Sequence, residues 1–258
     1  MAPEDQPVAL VTGGGGGIGA AIEARLAGRG YRLVVADVDG AQARHTAGRL
    51  GGTAVEVDVS DHGRNVAMVA RAVAVYGRLD LVVLNAGVNS GQSAGDPLDV
   101  ARYRRTNGVN VDGVVFGIDA ALPVLSARGG AIVVISSLAC LAPQHANPVY
   151  ALGKSAVVGY VRALAAPLAK ADVTINAVCP SFVDTPLLGT TRDWLLDQGF
   201  PMLSADDVAV AVLAALDGGR SGEAWQVVAG RAASPYGYPD IPVSLLPDGT
   251  PAPDLALG

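Results

Sequence analysis

Apolar residues along the chain follow two alternating rhythms. Short, nearly continuous apolar runs recur at Val8–Val11, Leu33–Ala36, Ala54–Val57, Leu81–Leu84, Ile132–Ile135, Val173–Val178 and Trp225–Val228. Their length and β-branched content predict seven strands, and their lack of polar alternate positions predicts burial on both faces, as in a parallel sheet. Between them apolar residues return every three or four positions: Ile18, Ile22, Leu26; Val66, Val69, Val73; Leu203, Val208, Val212, Leu216. That spacing predicts helices with one apolar face, and Ser204 with Asp207 forms an S-x-x-D pattern resembling a capping box. Strand and helix in turn from end to end predict an α/β fold, a doubly wound parallel sheet with helices on both faces.

No break in composition and no internal repeat interrupts this rhythm, so residues 1–258 are expected to form one domain. Two regions depart from it. Residues 186–203 insert a short, unusually apolar helical stretch after the sixth strand, and the Pro-rich tail 234–258 lacks helix or strand pattern. The tail is expected to lie over a neighbouring surface or to be partly disordered.

Composition narrows the function. With 50% apolar and 16% charged residues the chain has the makings of a core rather than of a disordered segment. A net charge of −6 and no basic stripe argue against nucleic acid as a partner. Cys140 and Cys179, 39 positions apart, suggest neither a disulfide framework nor a zinc site. His45, His62 and His145 are isolated, so no metal is expected; His145 is the one placed to touch a substrate. The acidic N-terminus lacks a signal-peptide order, and no apolar stretch of about 18 residues is uninterrupted. A cytoplasmic protein with no membrane partner is the expectation.

The first strand runs into Thr12 and then Gly13-Gly14-Gly15-Gly16-Gly17-Ile18-Gly19, where the helical pattern starts at once. Glycines in that position let backbone approach a pyrophosphate and seat its charge at a helix N-terminus, the Rossmann-type arrangement. Asp37 ends the second strand, 18 residues after Gly19, where a carboxylate can accept hydrogen bonds from the adenosine ribose and would repel a 2′-phosphate. With no Arg or Lys at 38–43, NAD is expected over NADP. Asp58, at the third strand's end, could meet the adenine in the same way.

Tyr150 and Lys154 lie four apart on a helical segment and share one face, although the chain has only two lysines. Ser137 precedes Tyr150 by 13 residues, just past the fifth strand's carboxyl end, where an open α/β sheet forms its ligand crevice. Ser136 is its rival, Asn107 rivals Asn110, and Tyr160 has no lysine at plus four.

In these residues, with Asn85-Ala86-Gly87 after the fourth strand, Asn110 in Val-Asn-Val-Asp-Gly, and Pro180 to Thr185, the sequence resembles the short-chain dehydrogenase/reductase family in its compact branch. The resemblance implies a catalytic set of Asn110, Ser137, Tyr150 and Lys154. Tyr150 exchanges a proton with the substrate oxygen, Lys154 and the cofactor's positive ring together lower the tyrosine pKa, Lys154 binds the nicotinamide ribose, Ser137 orients the substrate oxygen, and Asn110 holds a water leading from Lys154 to solvent. It further implies cofactor contacts from Gly13, Gly17, Ile18, Gly19, Asp37, Asp58, Val59, Asn85, Ala86, Gly87, Pro180, Val183 and Thr185. By the same resemblance the 186–203 insert covers the substrate, and its Trp194, Leu195, Leu196, Phe200 and Met202 favour a hydrophobic one. A homo-oligomer, tetramer or dimer, is implied through the helices carrying Asn110 and Tyr150. The expected function is NAD-dependent interconversion of a secondary alcohol and a ketone. The alternatives are an NADP-dependent ketoreductase and a dinucleotide-sensing regulator without turnover.

Overall fold

The computed structural model describes residues 5–240, 242 and 244–252. Seven parallel strands, β1 (Val8–Thr12), β2 (Arg32–Asp37), β3 (Thr53–Glu56), β4 (Leu81–Leu84), β5 (Gly130–Ile135), β6 (Val173–Pro180) and β7 (Ala224–Val227), each fall within two residues of the apolar runs. An eighth, β8 (Ser234–Pro235), pairs antiparallel with β7, in a tail that carries no strand pattern. The order across the sheet is β3-β2-β1-β4-β5-β6-β7-β8. It reverses direction between β1 and β4, the place where a doubly wound sheet opens a crevice at its carboxyl edge.

Successive residues of β1 divide the core. Val8 and Leu10 join the cluster packed by α3 (His62–Tyr76), α5 (Gly113–Leu125) and α6 (Pro148–Ala169). Ala9 and Val11 join the cluster packed by α1 (Gly17–Gly28), α2 (Gly40–Leu50) and α8 (Ala205–Asp217). The two-residue alternation of a strand thus serves two helical layers, which is why central strands such as β1 and β4 are buried on both faces. On α1 the expected Ile22 and Leu26 are fully buried. On α3 the face is turned: Met68, Val69 and Ala72 are buried while Val66 is 46% exposed, because Asn65 occupies the core side and donates to the Val59 and Asp61 carbonyls. At α8 Ser204 and Asp207 form the expected reciprocal cap, Asp207 N–H donating to Ser204 Oγ at 3.1 Å and Ser204 N–H to Asp207 Oδ2 at 2.7 Å.

Helix α4 (Val100–Asn107) continues through a π-helical turn (Gly108–Asp112) into α5. By length and composition this 26-residue run could cross a membrane; here Val114, Ile118, Ala121 and Leu125 line the core, so it is a core helix. Gly113 and Gly117 bring it close to the sheet layer, where an added Cβ would lie 2.8 Å from Val59 and 2.6 Å from Leu84. A short α7 (Thr191–Asp197) lies within the 186–203 insert. Beyond β8, Tyr236 and Tyr238 pack at 5.0 Å edge to face against the α6 side of the core, with Arg162 stacked 3.8 Å over Tyr238. The first part of the tail therefore covers a neighbouring surface; residues 253–258 lie outside the described ones.

Candidate active site

A groove of about 1970 Å³ opens along the carboxyl edge of the sheet, from Asp37 at one end to the 186–203 insert at the other. Its first wall is the turn between β1 and α1. Gly13 (φ +64°) and Gly17 (φ +50°) take the left-handed backbone that side chains resist. Gly19 is held by proximity: an added Cβ would lie 2.1 Å from the Gly13 carbonyl oxygen. Asn85 fastens the turn to β4 by donating from Nδ2 to the Thr12 and Gly13 carbonyls at 3.0 and 3.1 Å. Ala86 N–H donates to Thr12 Oγ1.

Asp37 stands at the end of β2 with Oδ2 accepting Gly15 N–H at 2.9 Å and Oδ1 accepting Asp39 N–H at 3.0 Å. Gly15 makes that approach possible, since a Cβ there would sit 2.8 Å from Asp37 Oδ2. Arg44, the nearest following cation in sequence, turns to Glu56 at 3.9 Å, and the basic residues that do line the groove, Arg104, Arg105 and Lys154, come from helices α4 and α6 and not from the segment that follows Asp37. Asp58 is held below the usual carboxylate range by the Ser60 hydroxyl and N–H. It lines the groove next to Val59. The site thus offers backbone donors at a helix N-terminus for a diphosphate and a carboxylate for vicinal hydroxyls, a donor set that fits a dinucleotide.

Behind this turn lies a residue the sequence pattern did not single out. Glu23, on α1, is fully buried, and neither carboxylate oxygen has a hydrogen-bond partner. Burial first, and the charge of Asp37 second, push its pKa up to about 9, so it is neutral at pH 7. Only the missing side chain at Gly14 leaves it room, as a Cβ there would fall 2.3 Å from Glu23 Oε1. A lone acidic residue two turns into an apolar helix carries no local signal that it will be enclosed.

At the far end the chemistry is made by side chains. Helix α6 starts at Pro148, capped by Asn147, whose Oδ1 accepts Tyr150 N–H; Asn147 is in turn hydrogen-bonded to Ser90 and Asn89. Tyr150 and Lys154 follow one turn apart, both lining the groove with Ser137. Ser137 caps a 3₁₀ turn (Leu138–Cys140), its Oγ accepting Ala139 N–H at 3.2 Å. Ser136 is buried and donates its hydroxyl to the Lys154 carbonyl at 2.9 Å, so it anchors α6 and leaves Ser137 as the more open hydroxyl.

Lys154 is 4% exposed and donates from Nζ to the Ile135 carbonyl at 2.8 Å. Burial pulls its pKa down to about 8. Burial pushes Tyr150 up to about 12, with the Ser137 hydroxyl opposing. Of the two charges expected to depress Tyr150, Lys154 and the cofactor's positive ring, Lys154 alone does not do so: its Nζ lies 5.6 Å from the ring centre, engaged with Ile135, and desolvation prevails. Asn110 comes close to Lys154 at Gly87. Fully buried in the π-helical turn, it accepts Val88 N–H at 2.8 Å and donates to the Val88 carbonyl at 2.9 Å. One acceptor and one donor site of its side-chain amide are thereby given to the loop after β4. Gly87 lets Asn110 and Lys154 converge, each 3.4 Å from where its Cβ would be. Asn107 instead donates to the Tyr103 carbonyl and packs at Gly153, and Tyr160 packs on the core.

The insert is tied at its base, Leu203 N–H donating to the Phe182 carbonyl and Asp184 N–H to the Leu203 carbonyl, both at 2.8 Å. Trp194, Leu195 and Phe200 line the groove, Phe200 meeting Phe182 edge to face at 5.4 Å. Leu196 and Met202 do not line it. Thr185 reaches the phosphate-side turn, its Cγ2 3.5 Å from a Cβ built on Gly17, with Pro180 and Val183 beside it on the wall. His145 is exposed, its carbonyl taking Ala94 N–H, and is not part of the lining. His62 pairs with Asp119 at 2.8 Å, and among the described residues no cluster of three His, Cys, Asp or Glu could hold a metal.

Known proteins share this construction. A model of the short chain dehydrogenase family matches residues 7–196. Cis-4-hydroxycyclohexanecarboxylate dehydrogenase of Sinomonas cyclohexanicum is 38% identical over 187 residues, 70% of this chain and 75% of that protein. Meso-2,3-butanediol dehydrogenase of Serratia marcescens is 37% identical over 197 residues, 74% and 75% respectively. The crystal structure of 3-ketoacyl-(acyl-carrier-protein) reductase from Brucella melitensis complexed with NADH superposes with a TM-score of 0.81 at 31% identity, covering 89% of this chain and 99% of that one.

Proposed function

Because the chain belongs to the short-chain dehydrogenase/reductase family, oxidoreductases of CH–OH groups that bind a nicotinamide dinucleotide, we propose that it interconverts a hydrophobic secondary alcohol and its ketone with NAD. The observation carrying this reading is the meeting of Ser137, Tyr150 and Lys154 in one groove whose other end presents the Asp37 carboxylate, with no Arg or Lys at 38–43. Residues 1–258 act as one dinucleotide-binding domain, with the insert over the substrate and, by family resemblance, a cytoplasmic homo-oligomer as the working form.

Gly13, Gly17, Ile18 and Gly19 hold the diphosphate, Asp37 the adenosine ribose, Asp58 and Val59 the adenine, and Asn85, Ala86, Gly87, Pro180, Val183 and Thr185 flank the nicotinamide. Bound there, the dinucleotide supplies the acceptor or donor of hydride. The Ser137 hydroxyl donates to the substrate oxygen and Tyr150 Oη exchanges its proton. With a pKa near 12 in the chain alone, Tyr150 is a proton donor, ready for the ketone. To take a proton from the alcohol it needs positive charge beyond that of Lys154, which the oxidised nicotinamide ring would add when bound. Trp194, Leu195 and Phe200 exclude water and favour apolar substituents.

Titration of the protein with NADH and NADPH, read by nicotinamide fluorescence, tests the cofactor choice. NADH is expected to bind at least tenfold tighter, and Asp37→Ala to erode that ratio. Tighter NADPH would move the reading to a biosynthetic ketoreductase, and an unchanged ratio in Asp37→Ala would remove Asp37 from the site. Binding without turnover of any secondary alcohol or ketone by an intact Tyr150 would favour the dinucleotide sensor.

A further inference from the structure

Cys140 and Cys179 are far apart in sequence, yet their sulfurs stand 3.6 Å apart, one thiol within hydrogen-bonding reach of the other. Both are free. Cys179 is fully buried in β6 immediately before Pro180, whereas Cys140 is only partly buried and closes the 3₁₀ turn that starts at Ser137. Neither has a part in the proposed reaction, and no third ligand makes them a metal site among the described residues. The two thiols are also unlike. Hydrogen bonding to Cys179 holds Cys140 below the ordinary thiol range, and the same contact together with burial holds Cys179 above it. The more accessible sulfur is the one a small oxidant can reach, and the enclosed one stands beside it, the division of labour of an attacking and a resolving cysteine.

We propose that Cys140 and Cys179 form a reversible, hydroperoxide-driven disulfide that ties the Ser137 turn to the end of β6 and lowers turnover. The Cys140 thiolate attacks a peroxide oxygen; the O–O bond breaks, the other oxygen leaves as water or an alcohol after taking a proton, and Cys140 becomes a sulfenic acid. The Cys179 sulfur then attacks Cys140 Sγ, the S–O bond breaks, and hydroxide leaves as water with the Cys179 proton. Two electrons from a dithiol reverse the result. A disulfide needs its sulfurs about 2.05 Å apart, so the present pair has to close by roughly 1.5 Å. Strand β6 is hydrogen-bonded to β5 on one side and β7 on the other, which leaves the Ser137–Leu141 turn to move, and Ser137 Oγ moves with it. Displacements near 1 Å at a reacting centre cost about 10²-fold. The effect on turnover rests on the role proposed for Ser137; the formation of the bond does not.

The test is exposure of the reduced full chain to hydrogen peroxide, followed by alkylation and peptide mass mapping. Both thiols are expected to be lost, with the Cys140 and Cys179 peptides linked within one chain and both thiols recovered after dithiothreitol. In Cys179→Ala, dimedone is expected to trap a sulfenic acid at Cys140. A linkage between chains, or sulfinic acid at Cys140 with Cys179 still alkylated, overturns the proposal. With a substrate in hand, oxidation is expected to lower kcat at least tenfold, reversibly, and Cys140→Ala is expected to resist that loss. A disulfide that leaves kcat unchanged overturns the coupling to Ser137. Failure to find any turnover before oxidation would count against the proposed function, and the thiol mapping would still decide whether the bond forms.

Discussion

At the Gly13–Gly19 end of the groove the site is made of backbone brought so close that side chains have no room. At the Ser137–Lys154 end it is made of side chains whose protons are set by how deeply they are enclosed. In the first, an added methyl group at Gly19 meets the Gly13 carbonyl at 2.1 Å. In the second, enclosure moves Tyr150 and Lys154 in opposite directions, toward about 12 and about 8, because desolvation disfavours whichever form is charged. Shape therefore limits what can bind at one end, and charge limits what can react at the other. Glu23 connects the two ideas, since it is a titratable group placed behind the backbone-built end and kept neutral there by burial.

Three changes separate the two ends. The largest effect is expected from Tyr150→Phe, which removes the exchanging proton and keeps the ring: kcat should fall by about 10³-fold, with NADH affinity within a few-fold of the parent. Retained turnover, measured with any accepted alcohol, would take Tyr150 out of the acid–base role. Gly19→Ala should do the reverse. Overpacking against a backbone oxygen costs typically about 1–3 kcal/mol, so Tm should drop and NADH binding weaken at least tenfold as α1 backs away from the turn. Unchanged affinity by fluorescence titration would show that the close approach does not matter to binding.

The smallest effect belongs to Glu23. Its folded pKa of about 9 stands above the ordinary carboxyl value of 4.5, so between those values the native state holds a proton that the unfolded chain has released. Stability carried by that proton is complete below about pH 4.5 and is lost as pH rises toward 9. From pH 5 to pH 7 the loss is roughly 2 kcal/mol. Glu23→Gln cannot ionise, so its Tm should gain on the parent by roughly 5 °C over that interval. Parallel Tm curves for the two proteins would mean that Glu23 is charged in the fold.

Much of this arrangement was legible beforehand. The seven parallel strands, the turn after β1, the carboxylate closing β2 and the pairing of Tyr150 with Lys154 are all local. Strand runs declare themselves over a few residues, and a spacing of four on a helix places two side chains on one face whatever surrounds them. Local pattern failed where a neighbour distant in sequence decided the outcome. The apolar spacing on α3 predicted Val66 inside, but Asn65 found the Val59 and Asp61 carbonyls and turned the helix face. Nothing in the Pro-rich tail announces β8, which exists because β7 left an edge to pair with.

What the sequence by itself determined, then, is the order and type of the elements and the residues that reach the carboxyl edge of the sheet, because both follow from periodicities of two and of about 3.6 residues. Only the tertiary structure decided how those residues are charged and what they touch. The neutral Glu23 under Gly14, the Asn110 amide bonded to Val88, the tyrosine raised rather than lowered, and two cysteines 39 positions apart meeting at 3.6 Å all depend on desolvation and on contacts across the fold. Those are properties of a place in space, which a residue acquires only when the distant parts of the chain have closed around it.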